Sequence, residues 1–253
     1  LPIRTVDTGY GIHRYAWLSQ GALSAFHVVY GDILDEIMKM AGISRTDERL
    51  LARVSEVSGL MTLQKNVSRL SARERVAEYV EMKVDELNKV LIPVENAFAV
   101  ADHTKCLVFM LAEGVVPSNV REGYLTRLMI RRTHRLLRAL AIEDKLFDII
   151  NTQISYWSED FPYLKEMRDE ILEILSVEQD KFKQTLERGQ SLIKRITREL
   201  KTKRVSEIPV ETLTELYDSH GLPPEFVQET AEKEGLRVKV PENFYTMVAE
   251  RHV

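Results

Sequence analysis

Apolar residues recur every three or four positions along most of this chain, the spacing that gathers them on one face of an α-helix. Phe26, Val29, Tyr30, Ile33, Leu34, Ile37 and Met40 predict a helix over Ala25–Met40. Thr46-Asp47-Glu48 predicts the start of another, with Thr46 as N-cap, to about Ser58. Ser71-Ala72-Arg73-Glu74 reads as a capping box, and predicts a helix to about Val90 that Pro93 follows. Glu95–Ala112 is apolar on most sides, which predicts a central helix that Gly114 ends; 115–119 is then a loop. Gly123–Leu140 and Glu143–Thr152 are helical in pattern. From Pro162 to about Lys203 the pattern runs without proline and with the single Gly189, so it is either one long brace or a hairpin bent at that glycine. Val210–Tyr217 predicts a short helix, 218–221 a turn, and Pro223-Pro224 the start of a helix to Glu234 that Gly235 caps.

Only the N-terminus departs from this rhythm. Ile3-Arg4-Thr5-Val6 alternates and is β-branched, which predicts a short strand. A tight turn over 7–11 follows, then a helix from about Ile12 to Ser19. The expected fold class is mostly α: a helical bundle with a short strand-turn-helix at its N-terminus.

Composition narrows the function classes. The 253 residues suffice for one large domain or two modest ones, and 44% hydrophobic with 29% charged residues is ordinary for a globular protein. The net charge of −4 excludes a globally basic nucleic-acid binder, so any such surface comes from local clusters of Lys and Arg. The single cysteine, Cys106, excludes an intrachain disulfide and a cysteine zinc cluster within this chain. It sits in an apolar run, which predicts a buried core thiol, and it fits a reducing, cytoplasmic compartment. No apolar stretch approaches the ~20 residues of a membrane span, and there is no signal peptide. The chain starts at Leu1 without Met, as expected of a piece cut from a longer protein.

Two stretches carry chemistry on pattern alone. Asp7-Thr8-Gly9-Tyr10-Gly11-Ile12-His13-Arg14 joins the strand to a helix start. Its glycines admit a ligand close to the backbone, the helix start offers N–H groups to an anion, Arg14 adds a fixed positive charge, and Asp7 suits an ammonium. A structural turn explains the same residues, and the third glycine of a dinucleotide-binding unit is missing. The second stretch holds Arg121, Arg127, Arg131, Arg132, Arg135 and Arg138, with His134 among them and Glu122 as the only acid. At about 100° per residue, Arg127, Arg131, His134, Arg135 and Arg138 fall in one arc of roughly 100°, with Leu125, Met129, Leu136 and Leu140 opposite and predicted to dock on the core. Like charges one turn apart repel. Such a face is either merely solvated or meets an anionic partner, of which a phosphate backbone is the obvious one. Asp102-His103 could be mistaken for a catalytic pair, but opens a mostly apolar helix and reads as structural.

The longer motifs resemble a known family. Val6-Asp7-Thr8-Gly9-Tyr10-Gly11-Ile12-His13-Arg14-Tyr15-Ala16-Trp17 resembles motif 3 of class II aminoacyl-tRNA synthetases, in the form that alanyl-tRNA synthetases carry. Ala101-Asp102-His103-Thr104-Lys105, then Ala112-Glu113-Gly114-Val115-Val116-Pro117-Ser118-Asn119-Val120-Arg121-Glu122-Gly123-Tyr124-Leu125, resembles the start of that family's tRNA-recognition domain. Leu216-Tyr217-Asp218-Ser219-His220-Gly221-Leu222-Pro223 resembles a later segment of it. The aromatic stretch Tyr156–Leu164 resembles the connection before the bracing helix, its rings expected in the core, and Met247–His252 resembles the lead-in to an editing domain. In family order these span nearly the whole chain and resemble the archaeal type.

The resemblance implies four parts. They are the end of the class II catalytic domain (1–20), a helical tRNA-recognition domain (21–204), a small helical subdomain (205–240) and a linker toward an editing domain (241–253). It implies that Arg14 with Gly11 contacts ATP, and that Asp7 and Gly9 line the alanine pocket. Asn119 is implied to read the wobble G·U pair of the tRNA(Ala) acceptor stem, and Asp218 the guanine of that pair. Arg121, Arg127, Arg131, Arg135 and Arg138 then make the tRNA-binding face. ATP and Mg belong to the parent enzyme's reaction of alanine with tRNA(Ala), and zinc to the editing domain. No metal site, catalytic residue, DNA or membrane contact is implied here, because motifs 1 and 2 lie outside this chain. A free-standing helical RNA-binding module without catalysis is the alternative. The chain departs from the family pattern at His13, where glutamate is usual, at Thr126-Arg127, where two arginines are common, and at His220, expected to pack like the aromatic residue it replaces.

Overall fold

The computed structural model describes residues 9–43, 48–62, 69–241, 243–244 and 247–248. The predicted strand at Ile3–Val6, Asp7 and the Thr46 cap lie outside the described residues. The described chain is mostly helical, and none of its helices is long and apolar enough to cross a membrane. It divides into two compact units, Leu1–Leu175 and Ser176–Val253. That division falls inside a helix.

The first unit is built around α5 (Val84–Ala112), preceded by α1 (Ile12–Gln20), α2 (Ala25–Met40), α3 (Glu48–Thr62) and α4 (Arg69–Tyr79). After it come α6 (Arg121–Ala139), a 3₁₀ turn at Glu143–Lys145, α7 (Leu146–Trp157), α8 (Tyr163–Glu166) and the start of α9 (Arg168–Thr202). Leu107, Val108 and Leu111 of α5 are buried with Ile33 and Ile37 of α2, Ile130 and Leu137 of α6, and Ile149 and Ile150 of α7. Glycine kinks α2 at Gly31 (φ 40°, ψ −116°), a conformation closed to residues with a Cβ. The kink follows Tyr30, whose buried ring sends its hydroxyl to Asp102 Oδ1 at 2.6 Å.

Several sequence expectations change here. The capping-box residue Ser71 lies inside α4 and not at its start. That helix stops at Tyr79, because Glu81 adopts a left-handed conformation (φ 59°) and the Met82 amide returns to the Ala77 carbonyl at 2.9 Å. Pro93 is inside α5 rather than beyond a helix end. An internal proline costs about 3 kcal/mol, but Leu87, Leu91 and Val94 around it are buried and return about 1.5–3 kcal/mol each. The helix therefore continues, and Asp102 and His103 stand in its middle and do not open it. Of the aromatic stretch, Trp157 and Tyr163 pack on the core, whereas Tyr156 and Phe161 stay exposed at 41% and 40%. Cys106 is half-buried, its Sγ 3.5 Å from Met110 Sδ, and burial raises its pKa, so it remains a thiol.

The second unit packs α9 from Ser176 onward with α10 (Val210–His220), α11 (Pro224–Lys233) and two short parallel strands, β1 (Glu207–Ile208) and β2 (Arg237–Val238). The register pairs Glu207 with Arg237 and Ile208 with Val238; Ile208 and Val238 are buried. Helix α9 runs through Gly189, so there is no hairpin. The glycine serves packing: a Cβ there would lie 2.2 Å from Leu222 Cδ2. Beyond Pro241, Phe244 and Val248 are buried in this unit's core.

Candidate nucleic-acid interface

The turn between α5 and α6 is held by its own short polar groups. Gly114 (φ 79°) ends α5 with the Val115 amide on the Met110 carbonyl at 3.0 Å. The chain then folds back over the first turn of α6. The Ser118 amide donates to the Gly123 carbonyl at 2.9 Å, and the Ser118 hydroxyl to the Val120 carbonyl at 2.9 Å. Gly123 is buried beneath the loop, where a Cβ would meet Ser118 Oγ at 2.3 Å and the Val116 carbonyl oxygen at 2.4 Å. The spacing Pro117-Ser118-Asn119 with Gly123 is thus a closure condition: serine bonds the helix start and glycine makes room for it. Arg121 enters α6 with φ 50°, a left-handed conformation that strains a residue with a Cβ by about 1–2 kcal/mol.

Asn119 is exposed at the apex. Its Oδ1 accepts a hydrogen bond from Arg127 Nη1, and Arg127 Nη2 donates to the Pro117 carbonyl at 3.3 Å. Val116, Val120, Tyr124 and Leu125 around it are exposed apolar groups, so the apex joins one amide to apolar contact surface.

The basic side of α6 follows the loop. Arg121 and Arg138 are exposed, and Arg127, Arg131, Arg132 and Arg135 are half-buried. Arg138 Nε stands 3.7 Å from Glu143 Oε1. Two features depart from the predicted wheel. Met129, Leu136 and Leu140 lie toward the core as predicted, but the buried face is centred on Gly123, Thr126, Ile130, Thr133 and Leu137, and Leu125 is 56% exposed. Threonines bury there because the helix satisfies them: Thr133 Oγ1 donates to the Met129 carbonyl at 2.9 Å and Thr126 Oγ1 to the Glu122 carbonyl at 3.3 Å. Their small side chains also let α5 and α6 approach closely. The rotation carries His134 inward, where burial drives its pKa down to about 4. It therefore adds no charge at neutral pH. Across on α5, His103 is likewise held below its ordinary value, by burial first and by Arg132 and Arg135 in addition, against the opposing pull of Asp102.

Asp218 belongs to the second unit. It is exposed in the last turn of α10, which extends to His220 and replaces the predicted turn. Gly221 (φ 65°) ends the helix, the Leu222 amide returning to the Leu216 carbonyl at 3.1 Å. Tyr217 anchors the turn by an edge contact to Phe244, centroids 5.6 Å apart. His220, expected to pack, is exposed.

At the N-terminus, Gly11 caps α1 without a side-chain hydrogen bond. Arg14 is exposed there, its Cδ 3.4 Å from where a Gly11 Cβ would stand. The Ile12 amide donates to the Tyr10 carbonyl at 3.0 Å and the Arg14 amide to the Gly11 carbonyl at 2.9 Å. Gly9 is exposed with open space around its Cα, and Asp7 lies outside the described residues. No residue of α1 is buried.

Sequence reasoning missed the Arg127–Asn119 contact and the Ser118–Gly123 closure. The fixed P-S-N-x3-G spacing was the available signal for the second; nothing in a helical wheel signals the first.

The family model of class II tRNA synthetases (A) matches residues 1–253. An alanine–tRNA ligase from Methanothermobacter thermautotrophicus is 42% identical over 252 residues, covering 100% of this chain and 28% of the relative. Those from Thermococcus kodakarensis and Pyrococcus abyssi are 47% and 46% identical over 247 residues, 98% of this chain and 27% of each relative. The chain thus spans a little over a quarter of the length of these relatives.

Proposed function

The chain belongs to the family of class II tRNA synthetases (A), and from that premise we propose that it is the tRNA-holding part of a cytoplasmic alanine–tRNA ligase, reading the wobble G·U pair of the tRNA(Ala) acceptor stem. In a protein of the relatives' length, the reaction is activation of alanine with ATP and transfer to tRNA(Ala). Arg14 with Gly11 then holds ATP phosphates, Asp7 and Gly9 line the alanine pocket, and Mg accompanies the nucleotide. Zinc is assigned to no residue here.

The observation that carries the reading is the Asn119 apex: an exposed amide on a closed loop, at the head of a helix side bearing Arg121, Arg127, Arg131, Arg135 and Arg138. A-form RNA presents a wide, shallow minor groove and a continuous phosphate backbone, so one amide and a row of guanidiniums suit it. Asp218, an acceptor when ionised, is assigned to the guanine amino group of the same pair.

The test is binding of this chain to two acceptor-stem hairpins that differ only in G·U against G·C. The expected result is a G·U preference that Asn119→Ala and Asp218→Ala each reduce, by about 1–3 kcal/mol per lost base contact. Affinity for both hairpins should fall steeply with salt through counterion release. Equal binding of both hairpins by the unaltered chain removes the reading; a salt-sensitive face without base preference would then favour the plain RNA-binding module.

A further inference from the structure

Arg127 of α6 reaches back into the Val115–Val120 loop, with Nη1 donating to Asn119 Oδ1 and Nη2 to the Pro117 carbonyl. A guanidinium has only donors. The Asn119 atom turned toward it is therefore the oxygen, and the amide is left with its two Nδ2 hydrogens directed away from Arg127. The fork also spans Pro117 and Asn119 across Ser118, which is itself tied to Gly123 and Val120. We propose that Arg127 is a positioning residue: it fixes the Asn119 amide as a hydrogen-bond donor toward the base pair, and governs RNA selectivity through Asn119 rather than by neutralising a phosphate.

This inference rests on the reading of Asn119 given above and deepens it. A donor amide meets the acceptor atoms of the minor-groove edge, which complements the acceptor role assigned to Asp218. It also changes the accounting of the basic face. Of the five arginines placed on it, Arg127 contributes to selectivity, and Arg121, Arg131, Arg135 and Arg138 contribute to salt-dependent affinity. Lysine cannot stand in for Arg127, because one ammonium lacks the planar fork that serves two acceptors at once.

The test is a double-mutant cycle on the two hairpins, with Asn119→Ala, Arg127→Lys and the double variant, each checked for folding by far-UV circular dichroism. Arg127→Lys keeps the charge and should lower the G·U over G·C preference by about tenfold. Affinity for the G·C hairpin should stay within about twofold and the slope of log K against log salt should not change. In the Asn119→Ala background the same substitution should cost nothing more. Arg127→Gln, uncharged and without the two-nitrogen fork, serves as the second variant and should lose the preference equally. The proposal is overturned if Arg127→Lys retains the preference while Asn119→Ala loses it. It is also overturned if the losses add, or if Arg127→Gln weakens both hairpins alike and makes the salt slope shallower by about one, the mark of a phosphate ligand. If Asn119→Ala itself leaves the preference intact, the reading of Asn119 falls, and this inference with it.

Discussion

Asn119 and Asp218 are both exposed side chains with an amide or carboxylate oxygen, each near a glycine that shapes its turn, yet the chain supports them by different means. Asn119 stands on a loop with no regular structure, and that loop is held by side chains: Ser118 on Val120, a buried Gly123, and the Arg127 fork. Asp218 stands on a regular helix turn, held by the backbone and by Tyr217 against Phe244. The first arrangement concentrates its cost in a few residues that tolerate no substitute. The second spreads its support over hydrogen bonds that any sequence makes, and sets the carboxylate at the negative end of the helix. Substitutions should therefore damage the first region locally and severely, and the second hardly at all except in RNA binding.

The sharpest way to break this contrast compares two glycines. In Gly123→Ala the new methyl would press on the Val116 carbonyl at 2.4 Å, a backbone atom that moves only if the loop opens. The expected cost is about 1–3 kcal/mol, the range for overpacking, together with loss of the G·U preference. In Gly189→Ala the methyl meets Leu222 Cδ2 at 2.2 Å, the far end of a flexible side chain. There the Leu222 shift is opposed by the roughly 1 kcal/mol that alanine gains over glycine inside a helix, and the net effect should lie near zero. Trp17 and Trp157 are the only tryptophans and both lie in the first unit, so fluorescence-detected urea unfolding follows that unit, and circular dichroism follows both. Equal destabilisation at the two sites would show that the loop is as adaptable as the helix.

Acid should separate the two units next. The His134 pKa falls from an unfolded value of about 6.5 to about 4 in the fold, driven by burial, and His103 shifts in the same direction. Above pH 6.5 both states are neutral and the stability is fully present. As pH falls from 6.5 toward 4, the unfolded chain takes up protons that the folded unit refuses, so the first unit loses stability across that window. Among the described residues the second unit buries no histidine, and His220 is exposed. Hydrogen exchange at pH 7 and pH 5, corrected for intrinsic rates, should show protection falling in α5 and α6 and holding in α10 and α11. His134→Gln should remove part of that difference. A loss confined to the second unit would contradict the burial argument.

What could be read from the chain beforehand divides along the same line. The helices, their order and the basic cluster were legible, because periodicity and charge are properties of the sequence itself. Helix ends were legible where glycine marks them, as at Gly114 and Gly235, but not at Gly221, where the helix continues through the predicted turn. The end at Glu81, which takes the same left-handed conformation with a Cβ, was missed, whereas those before Ala141 and Arg204, of the same conformation, were read to within a residue. There the next residue's amide returns to a carbonyl five residues back, as from Ile142 to Leu137 at 2.9 Å, and Ile142 is buried. At Glu81 no local signal announces the turn. Two-residue strands are too short to show a period. The core side of α6 was read at Met129, Leu136 and Leu140, but its centre was misplaced because Thr126 and Thr133 look polar in a wheel while the helix absorbs their hydroxyls. Asp218 was reached only through the family resemblance, and Arg127 looked like one more basic residue until the loop was seen to fold back on it.

The smallest effect tests the placement of Asp218 directly. If the carboxylate stands in the last turn of α10 for RNA rather than for the fold, removing its charge should relieve the helix end. Asp218→Asn keeps the size and deletes the charge, and should stabilise the second unit by about 0.3–1 kcal/mol at low salt. The gain should shrink as salt screens the helix end. The same substitution should weaken the G·U preference, since an amide presents a donor beside its acceptor where the carboxylate presents acceptors only. Opposite signs in the two assays would mark a residue kept at a cost to the fold, unlike Asn119, whose surroundings reward the loop that carries it. A variant that loses both stability and preference would instead make Asp218 a structural cap, and would move its share of the recognition to neighbouring residues of the turn.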